Sequence, residues 1–364
     1  MDIVEHTFGA PGARTRETTA KTPQVPPHPG VREGFLAMPS PSRHREHSER
    51  SEHSKHSAHS EHSEHSEHSD SNGADDCVGV LVLSGSSGRI EDERCRLLAR
   101  EGMTALSFRW FGGAGQPPGI CEVPLETFGP AIEVLRSYGA RRIGVLGTSK
   151  GAEAALHLSV LLPGIDAVVA VSPTSLTWGN VGPGSDGRNQ PYRSSWTWRG
   201  EPLPFVPYDD SWAPEPVPPK GAPVAIRGLY DLSRRTFADR VGAAAITVEK
   251  SPADLLLVAG GDDAMWPSLP YAEELADRRR AAGLPVRLIS ALDAGHRPRF
   301  PGEGPAPDSA HFLYGGSPAA DAALGARAWP HLLDVFRGAR GHRGGLRPLP
   351  ARRKPAGDGR VPRP

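Results

Sequence analysis

Hydrophobic positions fall into two rhythms along this chain. Continuous apolar runs of buried parallel-strand type occupy Val78–Leu83, Thr104–Phe108, Ile143–Leu146, Ile165–Val171, Leu255–Ala259 and Val286–Ala291. Between them lie stretches with helical spacing: Glu91–Glu101, Pro124–Tyr138, the run holding Ala154, Ala155, Leu156 and Leu158, Glu273–Ala282 and Ala319–Arg337. Strand alternating with helix predicts an α/β fold with a doubly wound, mostly parallel sheet. Residues 172–222 break the rhythm. They carry Trp178, Trp196, Trp198 and Trp212 among many Pro and Gly. An irregular excursion of that length is commonly a lid or pocket wall. Its tryptophans would either line an acyl pocket or anchor the excursion.

The N-terminal part reads differently. Residues 1–30 are polar and Pro-rich, predicting a disordered tail, and 31–42 hold a candidate edge strand of a hairpin, Val31–Pro39. Residues 43–74 are a low-complexity Ser-Glu-His repeat with His53, His56, His59, His62, His65 and His68 at every third position. No core can form from that composition, so it predicts a disordered insertion at a hairpin tip. Two readings stay open for it: a tolerated surface repeat, or an interaction tract that binds Zn or Ni. Residues 75–337 form the expected catalytic domain. Residues 338–364 are Arg- and Pro-rich without apolar periodicity and predict a disordered basic tail.

One stretch adds chemistry. The strand ending at Leu146 meets Gly147-Thr148-Ser149-Lys150-Gly151, and a helix follows. Strand, Gly-x-Ser-x-Gly and helix make the nucleophile elbow of an α/β-hydrolase fold, with the serine on a strained turn. The helix N-terminus beneath it offers free N–H groups to an oxyanion. Acyl transfer by serine also needs an imidazole base and a carboxylate to orient it, in the order Ser, acid, His. Of the fifteen histidines, eight lie in or beside the repeat, three in the tails, and His157 and His331 on helices. His296 and His311 remain on post-strand segments, and His296 directly follows a strand and a glycine. Asp262 and Asp263 compete as the acid; the spacing from Gly260 to Trp266-Pro267 favours Asp263, leaving Asp262 to brace the loop. Asp293 is a candidate brace for the histidine loop. The oxyanion donors expected are the backbone N–H of Lys150 and that of Ser86, with Ser87 in reserve. The Lys150 side chain is expected to pair with Glu153 on the helix surface.

Composition limits the alternatives. The formal net charge is zero, so no global field attracts nucleic acid or an anionic membrane. No run approaches 18 apolar residues, and the N-terminal stretch lacks an apolar core of signal-peptide length. Cys77, Cys95 and Cys121 match no metal or redox spacing, which fits ordinary thiols in a cytoplasmic protein. No cofactor and no metal at the site are expected, and the partner is a small-molecule acyl thioester or ester.

Several stretches together resemble the C-terminal catalytic domain shared by acyl-CoA thioesterases and bile acid-CoA:amino acid N-acyltransferases, a branch near dienelactone hydrolase. They are Phe111-Gly112, Val123 to Phe128, Gly147 to Glu153, Ile246 to Glu249, Gly261 to Ser268, Ala294-Gly295-His296, and Gly315 to Pro318 with Trp329. The resemblance covers roughly residues 75–337. It implies an acyl-enzyme mechanism on an acyl thioester or ester. The family's amino-acid transferases typically use Cys as nucleophile and its thioesterases Ser, so Ser149 points to hydrolysis over transfer to an amine or alcohol. The animal enzymes carry an N-terminal β-sandwich that the low-complexity residues before Cys77 do not match.

Overall fold

The computed structural model describes residues 2–9, 31–40, 77–215 and 217–338. The Ser-Glu-His repeat and nearly all of the basic tail lie outside the described residues. In chain order the elements are β1 (Ile3–Phe8), β2 (Gly34–Pro39), β3 (Val78–Leu83), α1 (Asp92–Arg100), β4 (Thr104–Phe108), β5 (Val123–Pro124), α2 (Gly129–Ser137), β6 (Arg142–Thr148), α3 (Lys150–Leu161), β7 (Ala167–Val171), β8 (Trp196–Trp198), β9 (Glu201–Pro202), α4 (Arg227–Thr236), α5 (Ala238–Ala244), β10 (Asp254–Gly260), α6 (Ser268–Ala281), β11 (Arg287–Ala291) and α7 (Pro318–Arg337).

Eight strands form one sheet in the order β1-β2-β4-β3-β6-β7-β10-β11. β2 runs antiparallel to both of its neighbours, and every pairing from β4 to β11 is parallel. This is the doubly wound, mostly parallel sheet the apolar runs predict, and the α/β-hydrolase arrangement the elbow motif predicts. β3, β4 and β7 are buried along their whole length, as strands covered on both faces must be. One face carries α2, α3 and α6 over Leu81, Val145, Val168 and Leu257; the other carries α1 and α7 over Val80, Leu146, Val169 and Val258. Gly144 in β6 leaves the space that the Phe336 ring of α7 fills. α7 starts on an N-cap, with Ser317 Oγ accepting from Ala320 N at 3.2 Å, and stops at Gly338 in the left-handed region.

The sheet order turns at β3, whose chain continues to β4 on one side while β6 lies on the other. α/β sheets bind ligands beyond the strand carboxyl ends at such a switch point. The Ser84–Gly88 loop and the Ser149 turn both leave the sheet there.

Three expectations change. Residues 3–8 are an edge strand: Ile3–Phe8 pairs with Gly34–Pro39 residue for residue, so the predicted tail from 1 to 30 contains sheet. The connection carrying the repeat does not span a hairpin tip, because β4 lies between β2 and β3. The 172–222 excursion is not wholly irregular. β8 and β9 join β5 in a small three-stranded sheet, and helices α4 and α5 follow before β10. Trp178 and Trp196 are fully buried anchors of this excursion. Trp178 packs with Tyr208, Tyr230 and Tyr271, and Trp196 with Trp110 and Phe128.

Candidate active site

Ser149 sits between β6 and α3 at φ 56° and ψ −121°, a backbone conformation that side chains other than glycine rarely adopt. The neighbouring glycines make the turn possible. A Cβ on Gly147 would collide with the Gly151 carbonyl, and one on Gly151 with the Ser84 carbonyl. Gly85 lies against the serine, with its ideal Cβ position 3.0 Å from Ser149 Cβ and 3.6 Å from Oγ. The post-β3 loop thus crosses beside the hydroxyl. Ser86 and Ser87 form the middle of a turn closed by Gly88 N donating to Gly85 O at 3.3 Å, and both are exposed. Lys150 is the first residue of α3, so its N–H has no acceptor within the helix.

His296 lies beyond the end of β11, 4% exposed, and its Nδ1 is 2.7 Å from Asp263 Oδ2. Asp263 is fully engaged: its Oδ1 accepts the N–H groups of Met265 at 2.8 Å and Trp266 at 3.3 Å. Asp262 instead accepts Gly316 N at 2.8 Å and so braces the loop. Of the two candidate acids, the structure brings Asp263 to the imidazole. His296 packs edge-on against Trp266 and face-on against Tyr314. His311 is exposed, and its backbone carbonyl accepts Val224 N at 2.9 Å beside the Val224–Phe312 bridge.

Backbone contacts join the serine turn to the histidine loop. Ser149 N donates to Val171 O at 3.0 Å, and the next residue, Ser172, donates its hydroxyl to His296 O at 2.8 Å. Ser172 is buried, has φ 47°, and its carbonyl accepts Trp266 Nε1 at 3.1 Å. Among the described residues the Ser149 hydroxyl has no hydrogen-bond partner.

Two roles differ from the sequence reading. Asp293 is exposed; the carboxylate that braces the histidine loop is Asp321 of α7, whose Oδ1 accepts Gly295 N at 2.6 Å. Burial raises the Asp321 carboxyl above its usual range, against the pull of the Gly295 N–H. Its signal in the sequence is an acidic residue in the first turn of a helix capped by Ser317. The Lys150–Glu153 pair is not on the surface. Their side chains are 2% and 0% exposed, with Nζ 2.8 Å from Oε2. Nζ also donates to Ser195 Oγ at 2.8 Å, and Glu153 Oε1 accepts Trp178 N and Trp196 Nε1. Burial lowers the Lys150 ammonium, and Glu153 partly offsets it. The pair fastens the excursion to the elbow helix.

Among the described residues, no cluster of three His, Cys, Asp or Glu could hold a metal ion. No helix there is long and apolar enough to cross a membrane. Burial raises the Cys95 and Cys121 thiols, which disfavours their thiolates.

Residues 209–341 match the family model described as BAAT / acyl-CoA thioester hydrolase C terminal. The chain is 27% identical over 277 residues to mitochondrial acyl-coenzyme A thioesterase 2 of Mus musculus, covering 71% of this chain and 54% of that protein. It is 27% identical over 268 residues to acyl-coenzyme A thioesterase 1 of Homo sapiens, covering 71% and 59%. It therefore spans little more than half the length of these relatives. A dienelactone hydrolase-like promiscuous phosphotriesterase from metagenomic libraries shows a TM-score of 0.46 at 13% identity, covering 92% of this chain and 98% of that one. A Mycobacterium tuberculosis puromycin-hydrolyzing peptidase shows 0.47 at 13% identity, covering 85% and 37%.

Proposed function

We propose that this protein, whose residues 209–341 match the BAAT / acyl-CoA thioester hydrolase C-terminal family model, is a serine hydrolase of acyl thioesters or esters. The observation that carries the reading is the 2.7 Å contact between His296 and Asp263, on a loop tied through Ser172 and Val171 to the strained turn that presents Ser149.

In this reading Ser149 Oγ attacks the acyl carbonyl while His296 Nε2 takes its proton. Asp263 holds Nδ1 protonated and stabilises the imidazolium. The developing oxyanion is received by the N–H groups of Lys150 and Ser86. Collapse expels the thiolate or alkoxide, which His296 protonates. Water then attacks the acyl-serine with His296 as base, and the acid leaves. In free hydrolases the nucleophile–base hydrogen bond is commonly long and tightens when substrate binds.

The relatives' names make acyl-CoA the first thioester to try. A panel of acyl-CoAs of graded length beside p-nitrophenyl esters tests the reading. Turnover that Ser149→Ala abolishes without loss of fold supports it; near-normal hydrolysis by that variant rejects it. Adding amine and alcohol acceptors and analysing products separates hydrolysis from acyl transfer.

A further inference from the structure

One buried guanidinium is fastened to both loops that the reaction must hold in register. Arg94, in the first turn of α1, is 5% exposed, and the side chain of its partner Glu303 is 1% exposed. Its Nε donates to Glu303 Oε1 at 2.8 Å. Its Nη1 donates to Thr148 Oγ1 at 2.6 Å, and its Nη2 donates to Pro298 O at 3.4 Å. Thr148 immediately precedes Ser149, and Pro298 lies two residues beyond His296. The other Glu303 oxygen accepts Phe300 N at 2.6 Å, and the guanidinium carbon sits 4.9 Å over the Phe300 ring. Glu93, next to Arg94 on α1, accepts Arg299 Nη2 at 2.9 Å and Gly304 N at 2.7 Å. The start of α1 therefore grips the whole segment 298–304.

Net stability is a poor reason for this pair. Replacing a buried ion pair by well-packed apolar side chains is often neutral or stabilising. What a guanidinium adds is direction, because its donors leave a rigid planar fork at fixed angles. Here one prong meets the elbow, one meets the histidine loop, and the third is aimed by Glu303.

We propose that Arg94 is a positioning residue of the hydrolytic site: its fork sets the separation between the turn carrying Ser149 and the loop carrying His296, and Glu303 fixes the angle of the fork. The proposal rests on Ser149 being the nucleophile. Misplacement of reacting groups by about 1 Å can lower turnover about 10²-fold without touching the substrate.

The test is steady-state kinetics on p-nitrophenyl acetate, with melting temperature measured on each variant. Thr148→Val keeps the shape and the ion pair but removes the acceptor at the elbow. It should lower kcat about tenfold, with KM moving less than about twofold and melting lowered by only a few degrees, as one unsatisfied donor requires. Arg94→Met should lower kcat about 10²-fold. Arg94→Lys, which keeps the charge opposite Glu303 but not the fork, should restore melting and leave kcat low. Wild-type kcat in Thr148→Val, or recovery of kcat together with melting in Arg94→Lys, overturns the proposal. Ser149→Ala in the same assay separates the two ideas: activity surviving in it sinks the nucleophile assignment, whereas an inactive Ser149→Ala beside a fully active Thr148→Val sinks only the positioning role.

Discussion

His296 Nδ1 and Asp263 Oδ2 stand 2.7 Å apart, with side chains 5% and 0% exposed. They lie thirty-three positions apart in the chain, and the contact closes because β10 and β11 are parallel neighbours whose carboxyl ends lie at the same rim. Asp263→Asn preserves the shape but favours the wrong imidazole tautomer. We expect kcat to fall about 10⁴-fold with folding intact. Asp262→Asn, at the carboxylate that accepts the Gly316 N–H, should keep kcat within about tenfold. Kinetics on the two variants side by side check this, and equal losses would contradict the division of labour.

Asp321 and Asp293 offer a second contrast. Asp321→Ala leaves the buried Gly295 N–H without its acceptor and should destabilise the protein by about 1–3 kcal/mol, with a fall in kcat as the His296 loop loosens. Asp293→Ala, on the exposed turn, should stay within about 0.5 kcal/mol. Urea unfolding and turnover measured on both variants distinguish them.

The buried Lys150–Glu153 pair predicts a large stability effect. Glu153→Ala strands the ammonium and removes the acceptor of Trp178 N and Trp196 Nε1. The expected loss is about 3–5 kcal/mol by urea unfolding, with Trp fluorescence of the excursion changing first. A loss below about 1 kcal/mol would mean that the excursion is held by its apolar contacts alone.

His157 predicts an acid-side dependence. Burial, with a smaller push from Lys150, lowers its pKa from 6.5 to about 3, and its Nε2 sits 2.9 Å from Thr177 Oγ1. The unfolded chain protonates this histidine near pH 6.5 while the folded protein leaves it neutral until about pH 3. The unfolded state thus binds more protons between those values, and stability falls as pH drops through the window. By pH 4.5 the loss from this group is about 2–3 kcal/mol. His157→Gln should remove that share of the difference between unfolding at pH 7 and at pH 4.5. An unchanged difference would contradict it.

Local patterns made much of this legible in the sequence. The turn at Ser149 is written in contiguous residues, and the strand ends that carry Asp263 and His296 follow from apolar runs. What escaped was set by distant partners. Lys150 and Glu153 have the spacing of an ordinary surface pair; only residues 172–222 folding over α3 bury them. β1 hides because six alternating residues in a polar stretch have no meaning until Gly34–Pro39 pairs with them. α4 is ten residues long and buries only Tyr230 and Ser233 among several Arg and an Asp, so its apolar stripe is short. Arg94 and Asp321 stand in first helical turns, where a charged residue is ordinary, and their acceptors and donors lie more than 25 residues away.

The most direct measurement of the central claim is mass spectrometry of the protein after one equivalent of a fluorophosphonate. The account predicts a single adduct on the peptide containing Ser149, absent in Ser149→Ala and formed far more slowly in His296→Ala. An adduct on another residue, or equal labelling of Ser149→Ala, would contradict it.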